Sequence, residues 1–268
     1  MKAGIATIAF RNYDVFTALD MAGQVGFAGV EIWGKPPHTP EGVDEEHLRR
    51  IKDRARSNGL KIPIFGSYVN PSWPEFEEKS AQAIKIAGRL AAKIIRIWAG
   101  NKEPHEADES LWIQTAKALK EFALRAEDNG LTLAAEMHSG TLCLTPEGAM
   151  RLLEMADAPN LKLNYQVGDF ADSNVERDIA MIGDHIAMIH AQNFKFSSCR
   201  PGTLIRSLIS EGLVNYDTVL SALAKRGFDG YVEVEFLKDE EISEDAMLDS
   251  LKKDAQYLLE LTAKHTNR

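Results

Sequence analysis

Four of the chain's apolar runs end in residues that can move protons or bind metal: Glu136 in LTLAAEMH, Gln166 in LKLNYQ, His190 in HIAMIH and Glu235 in YVEVEF. Side chains of a strand alternate between its faces, so parity decides whether such residues can meet. If Leu133, Ala135 and Met137 face covering helices, then Ala134, Glu136 and His138 face the other way. The same rule turns Asn164 with Gln166, Met188 with His190, and Glu233 with Glu235 to that side. Two carboxylates and an imidazole in one cavity are costly as bare charges, and a divalent cation compensates them. Glu136, His190 and Glu235 are therefore expected to hold a metal, with Gln166 in a similar register. Oxygen-rich ligation with one histidine suits manganese, magnesium or cobalt better than zinc.

The elements that would position these residues recur along the chain. About eight times an amphipathic stretch ends in glycine and a short apolar run follows, as in Gly26-Phe27-Ala28-Gly29 before VEIW and Gly227-Phe228-Asp229-Gly230 before YVEVEF. Val15, Ala18, Leu19, Ala22 and Val25 keep helical spacing, as do Leu111, Thr115, Ala118, Leu119 and Phe122. Asp108 and Ser243 are expected N-caps of the helices that follow two charged loops. Strands and helices alternating from end to end imply a parallel sheet. Eight units imply an α/β fold of the (β/α)8 TIM barrel type, a parallel eight-stranded barrel ringed by helices and spanning residues 1–268 as one domain. A dinucleotide fold is disfavoured because no G-x-G-x-x-G follows the first run. Barrel enzymes keep their chemistry at the C-terminal ends of the strands, which is where the four residues fall.

Composition narrows the functional classes. The 268 residues carry a formal charge of −9, which disfavours a nucleic-acid partner. No apolar run approaches the roughly 20 residues of a membrane span, so no membrane partner is expected. Two cysteines, Cys143 and Cys199, make no disulfide framework, and a reducing cytoplasm is the expected location.

The segments GFAGVEI, EMH followed by TPEGAMRLL, LNYQVGDF, IHAQN, SEGLVNY and FDGYVEVE, in that order and over nearly the whole chain, resemble the xylose isomerase-like barrel superfamily of sugar isomerases and epimerases. In its ketose 3-epimerases the metal is held by Glu, Asp, His and Glu from the last four strands, and the two glutamates are the acid/base pair. Carried over by position, the resemblance implies metal ligation by Glu136, Gln166, His190 and Glu235, with Glu136 and Glu235 catalytic. It implies a small-molecule carbohydrate substrate, proton transfer beside a carbonyl through an enediolate, and a homo-oligomer, dimer or tetramer. Two positions depart from the family pattern. Gln166 and Asp169 stand where Asp is followed three residues later by His or Asn, and IHAQN stands where H-x-K-D is frequent.

Around this centre, His138 and Asp169 are expected to face substrate, Trp33 and Trp98 to wall one side, and Arg200, in the polar loop after the seventh run, to bind a hydroxyl or carboxylate. One layer deeper, Arg96 and Glu233 face inward by parity, with Glu31 beside them, and a buried Arg96–Glu233 pair is expected because an unpaired Glu233 would be costly. The same enediolate would expel a β-leaving group in a lyase or dehydratase acting on a keto-sugar or inosose. An apurinic endonuclease-like hydrolase needs more histidines than the seven present, and a binding protein on a decayed barrel would leave the site without metal.

Overall fold

A computed structural model describes residues 1–168, 174–237 and 244–266; Asp169 and Ser243 lie outside the described residues. The described strands are β1 Lys2–Ala6, β2 Gly29–Trp33, β3 Lys61–Gly66, β4 Ile94–Ile97, β5 Thr132–Glu136, β6 Leu161–Tyr165, β7 Ile186–Ala191, β8 Asn193–Phe196, β9 Leu204–Ser207 and β10 Tyr231–Val234. Eight of them close a parallel barrel in which β1 to β7 are neighbours in sequence order and β10 joins β7 to β1. All eight apolar runs of the sequence are staves of this barrel. The helices α1 Val15–Gln24, α2 Glu45–Ser57, α3 Phe76–Leu90, α4 Glu109–Glu127, α5 Pro146–Ala156, α6 Val175–Ile182, α7 Tyr216–Lys225 and α8 Glu244–Thr266 alternate with the staves.

Local chemistry sets the helix boundaries. Asp14, Asp44, Asp108 and Thr145 each accept a hydrogen bond from a backbone N–H in the first turn of the helix they precede, satisfying donors that have no partner within the helix. Gly26 and Gly227 have φ of +83° and +75°, which lets the chain leave α1 and α7 and turn into the next stave. The buried faces of the helices, for example Ala18, Leu19 and Ala22 of α1 and Leu119 and Phe122 of α4, form one core with the outward residues of the staves.

Inside the barrel the side chains lie in layers. Ile64, Ala134, Met188 and Tyr231 form an apolar disc separate from the outer core. Two residues further along the same staves, on the same face, come Gly66, Glu136, His190 and Glu233. Polarity thus rises towards the C-terminal ends of the strands. No helix among the described residues is long and apolar enough to cross a membrane.

Among the described residues, the connection from β7 to α7 is the large departure from a bare barrel. In place of the expected polar loop, β8 and β9 pair as an antiparallel hairpin, with Asn193 opposite Ser207 and Phe196 opposite Leu204. Asn193 ties its base together, donating from Nδ2 to the carbonyls of Ile209 (2.7 Å) and Val214 (2.8 Å). The backbone N–H of Ile209 donates to Asp254 Oδ1 of α8 at 2.8 Å. Asp254 is fully buried and its Oδ2 has no partner among the described residues. Burial pushes its pKa up to about 7, opposed by the bond from Ile209. A carboxyl whose folded pKa is raised stabilises the fold fully below its unfolded pKa, and that contribution is lost as pH rises through the folded value. The native state is therefore expected to lose about 4 kcal/mol from this group between about pH 4 and pH 8, and Asp254→Asn to remove that part of the slope. Thermal unfolding of both proteins across this range checks it: equal slopes would mean that Asp254 does not titrate in the window.

Candidate metal centre

Glu136 ends β5, His190 lies in β7, and Glu235 follows β10, where its backbone N–H still bonds Ala191 O across the stave. All three are buried. One ligand atom from each lies within 4.8 Å of the others. His190 Nδ1 is 3.3 Å from Glu136 Oε1 and 3.5 Å from Glu235 Oε1. The three residues expected from parity are therefore brought together.

A second tier lies beneath them. His190 Nε2 is 2.9 Å from Glu31 Oε2. Arg96 donates from Nε to Glu31 Oε1 at 3.0 Å and from Nη1 to Glu136 Oε2 at 2.6 Å. Trp98 Nε1 donates to the same Glu136 oxygen at 2.6 Å. Asn164 Nδ2 is 3.1 Å from His190 Nδ1. Burial penalises the charged forms of Glu136 and Glu31, but the Arg96 guanidinium outweighs it and holds both carboxyls below their usual range, with help from His190. Burial likewise penalises charge on His190, and Glu235 and Glu31 outweigh it, raising its pKa well above the usual imidazole value. Glu235 is shifted the other way, raised by burial and by Glu136.

The expected Arg96–Glu233 pair is not formed. Arg96 spends its fork on Glu31 and Glu136, and neither oxygen of Glu233 has a partner among the described residues. Glu233 does face inward, against Gly4, where an added Cβ would meet its Cγ at 3.0 Å. Burial, reinforced by Glu31, pushes its pKa well above the usual carboxyl range, which favours the neutral form, although one of its oxygens also lies within 4.8 Å of ligand atoms of Glu31 and His190.

Gln166 sits at the rim, its Nε2 donating to Met137 O at 2.8 Å and its Oε1 accepting from Gln192 Nε2 at 2.9 Å. His138 stacks on Trp98 with ring centroids 4.9 Å apart, beside Glu136. Trp98 is thus more than an apolar wall, since it also fixes one carboxylate. Trp33 donates Nε1–H to the Tyr68 hydroxyl at 2.9 Å, and the Tyr68 ring lies 5.9 Å from Trp98, so Trp33 joins the centre through Tyr68. Tyr68 and Asn164 thus join the expected residues at the centre. The parity of LKLNYQ already turned Asn164 inward, whereas nothing in the sequence marks Tyr68. Arg200 lies exposed in the hairpin turn, where its backbone binds Ser197 and Thr203, and among the described residues no hydrogen bond or ion pair joins it to the cluster.

A family model described as xylose isomerase-like TIM barrel matches residues 19–261. Relatives of similar length include a 3-dehydroshikimate dehydratase of Bacillus anthracis, 23% identical over 88% of this chain and 91% of its own. An inosose dehydratase of Salmonella agona is 26% identical over 89% of each chain. A fructoselysine 3-epimerase of Escherichia coli O157:H7 is 23% identical over 88% and 90%. Among solved structures, the IOLI protein with a binding zinc atom superposes with a TM-score of 0.79 at 17% identity, covering 99% of both chains. A xylose isomerase-like barrel protein from Mycobacterium smegmatis in complex with magnesium does so with a TM-score of 0.77 at 16% identity, covering 98% and 97%. Both share this fold.

The second tier exists only because β3 leaves room for it. A Cβ on Gly66 would lie 1.9 Å from Glu31 Oε1 and 3.1 Å from an Arg96 nitrogen. Gly66→Ala is expected to lower unfolding stability by about 1–3 kcal/mol in urea denaturation. Gly88→Ala in α3, where the added carbon meets nothing within 4 Å, is expected to be neutral or to stabilise by up to about 1 kcal/mol. Equal effects of the two substitutions would contradict the close packing of Gly66 on the ion pair.

Proposed function

The chain belongs to the xylose isomerase-like TIM barrel family, and from that premise we propose that it is a divalent-metal-dependent enzyme removing a proton beside the carbonyl of a small polyhydroxylated ketone, a keto-sugar or inosose. The arrangement around His190 carries this reading. Glu31, held ionised, can only accept a hydrogen bond, so His190 Nε2 carries the hydrogen between them. The surrounding carboxylates favour a hydrogen on Nδ1 as well, which a cation placed beside the Glu136 and Glu235 oxygens would displace, leaving the Nδ1 lone pair to face the ion together with those oxygens. Three electron-rich atoms converging in a buried site fit a cation among them, and a carboxylate behind the imidazole is the usual support for a metal-binding histidine. Glu136, His190 and Glu235 would hold that ion, with the second lone pair of Gln166 Oε1 as a further donor; manganese, magnesium or cobalt suits this set better than zinc. A bound divalent cation supplies Lewis-acid polarisation of the carbonyl and offsets the negative charge that develops there.

The two glutamates are not equivalent. Glu136 Oε2 accepts from both Arg96 and Trp98, while its Oε1 faces His190. Glu235 Oε2 has no partner among the described residues. Glu235 is therefore the base that takes the carbon-bound proton, and Glu136 chiefly orients. If His138 then protonates a β-hydroxyl, that group leaves as water and an unsaturated ketone remains. This outcome accords with the two dehydratase relatives. The epimerase relative supports a second reading, in which Glu136 relays a proton taken up from water at the rim to the opposite face, Glu235 gives its own proton back to solvent, and the substrate keeps its mass. The Trp33–Tyr68–Trp98–His138 row would meet the substrate's C–H face, and Asp169 is proposed to contact it from outside the described residues.

The test is incubation of manganese-loaded protein in deuterated water with keto-sugars, inososes and 3-dehydroshikimate, followed by mass spectrometry and ultraviolet absorbance. The expected result is deuterium uptake or loss of water, reduced about 10²–10⁴-fold by Glu235→Gln. Glu136→Gln is expected to weaken manganese binding. Turnover that survives both substitutions would overturn these roles, and an unsaturated product rather than an exchanged, mass-conserved sugar separates the two readings.

A further inference from the structure

At the pole opposite the metal centre, where the staves begin, lies a cavity of about 570 Å³. Its wall is apolar, built from Leu60, Pro63, Leu90 and Ile94 with the buried Tyr231 ring. Tyr231 also belongs to the interior disc and is packed tightly there, since a Cβ on Gly29 would come within 2.7 Å of its ring. The floor of the cavity is thus a fixed surface of the barrel core.

The rim has the opposite charge balance to the chain. Of the sixteen lining residues, Lys2, Lys52, Arg56, Lys61 and Lys93 are cations and only Asp229 is an anion, whereas the whole protein carries −9. Lys2 binds the Asp229 carbonyl at 3.0 Å and lies 5.3 Å from the centre of the Tyr231 ring, and Arg56 pairs with Asp53. Lys52, Lys61 and Lys93 have no ion-pair or hydrogen-bond partner among the described residues. They come from α2, β3 and the residue before β4, so three successive elements each deliver a free ammonium to one mouth. Like charges gathered at an apolar concavity focus a positive potential there, and among the described residues Lys52, Lys61 and Lys93 gain no protein partner in return. An apolar pocket with a few convergent charged groups is the general form of a small-ligand site.

We propose that this cavity binds a small organic anion with an apolar body, a carboxylate, sulfonate or phosphate monoester whose hydrocarbon part lies against Tyr231 and Ile94 and whose charge meets Lys61, Lys93 and Lys52. The site is independent of the metal centre, from which the apolar disc separates it.

Calorimetric titration of the intact protein with naphthalene-2-sulfonate tests this, with 2-naphthol as the uncharged body and inorganic phosphate as the bare anion. Saturable one-to-one binding is expected, weakened roughly tenfold or more by Lys61→Glu or Lys93→Glu and weakened again as salt rises. Both controls are expected to bind at least about tenfold more weakly than the sulfonate, because each lacks one half of the recognition. Glu136→Gln is expected to leave the affinity unchanged. Circular dichroism checks that the variants fold, and Lys52→Glu on the exposed side of α2 gives the same readout if a strand-end substitution does not fold. Absence of saturable binding, equal affinity in the charge-reversed proteins, or loss of binding in Glu136→Gln would each overturn the proposal.

Discussion

Arg96 reaches from β4 to Glu31 on one side and to Glu136 on the other, and both carboxylates face His190. All four side chains are buried, so none can be satisfied by water. Removing a charge from the interior's network leaves its partner uncompensated, at a cost of about 3–5 kcal/mol, while the intact pair contributes little net stability. The arginine is thus better understood as a constraint on geometry. It fixes where Glu136 can point, and through Glu31 it keeps a hydrogen on Nε2 of His190.

Much of the remaining interior accommodates that constraint. Gly4 and Gly66 remove side chains from β1 and β3 where Glu233 and Glu31 need the volume. Trp98 takes the remaining access to one Glu136 oxygen and stacks on His138 at the rim. Glu233, for which Arg96 has no donor left, is pushed by burial towards its neutral form. The buried faces of the outer helices pack on the opposite side of the staves, which separates the apolar core of the scaffold from the polar tier inside it.

The alternation of strands and helices, the eight staves and the inward turn of Glu136, His190, Glu233 and Glu235 were all legible in the sequence. They follow from periods of 2 and 3.6, and a slip of one residue would have exposed every hydrophobic side chain of a stave. The partner of Arg96 was not legible, because an arginine on one stave can reach several others and barrel closure decides which. The β8–β9 hairpin was missed although Pro201-Gly202 between FKF and LIRS is a recognisable turn signal. Asp254 looks like a surface charge until its spacing from Leu251, Ala255 and Leu258 places it on the buried face of α8.

The disc of Ile64, Ala134, Met188 and Tyr231 closes the barrel beneath the charged tier. It makes the interior a blind well rather than a channel, with one mouth for everything that enters. Any molecule bound above that floor must enter and leave by the same mouth, so occupancy by one excludes the next. The floor also insulates the buried charges from solvent at the far pole, leaving protons the same single route in and out.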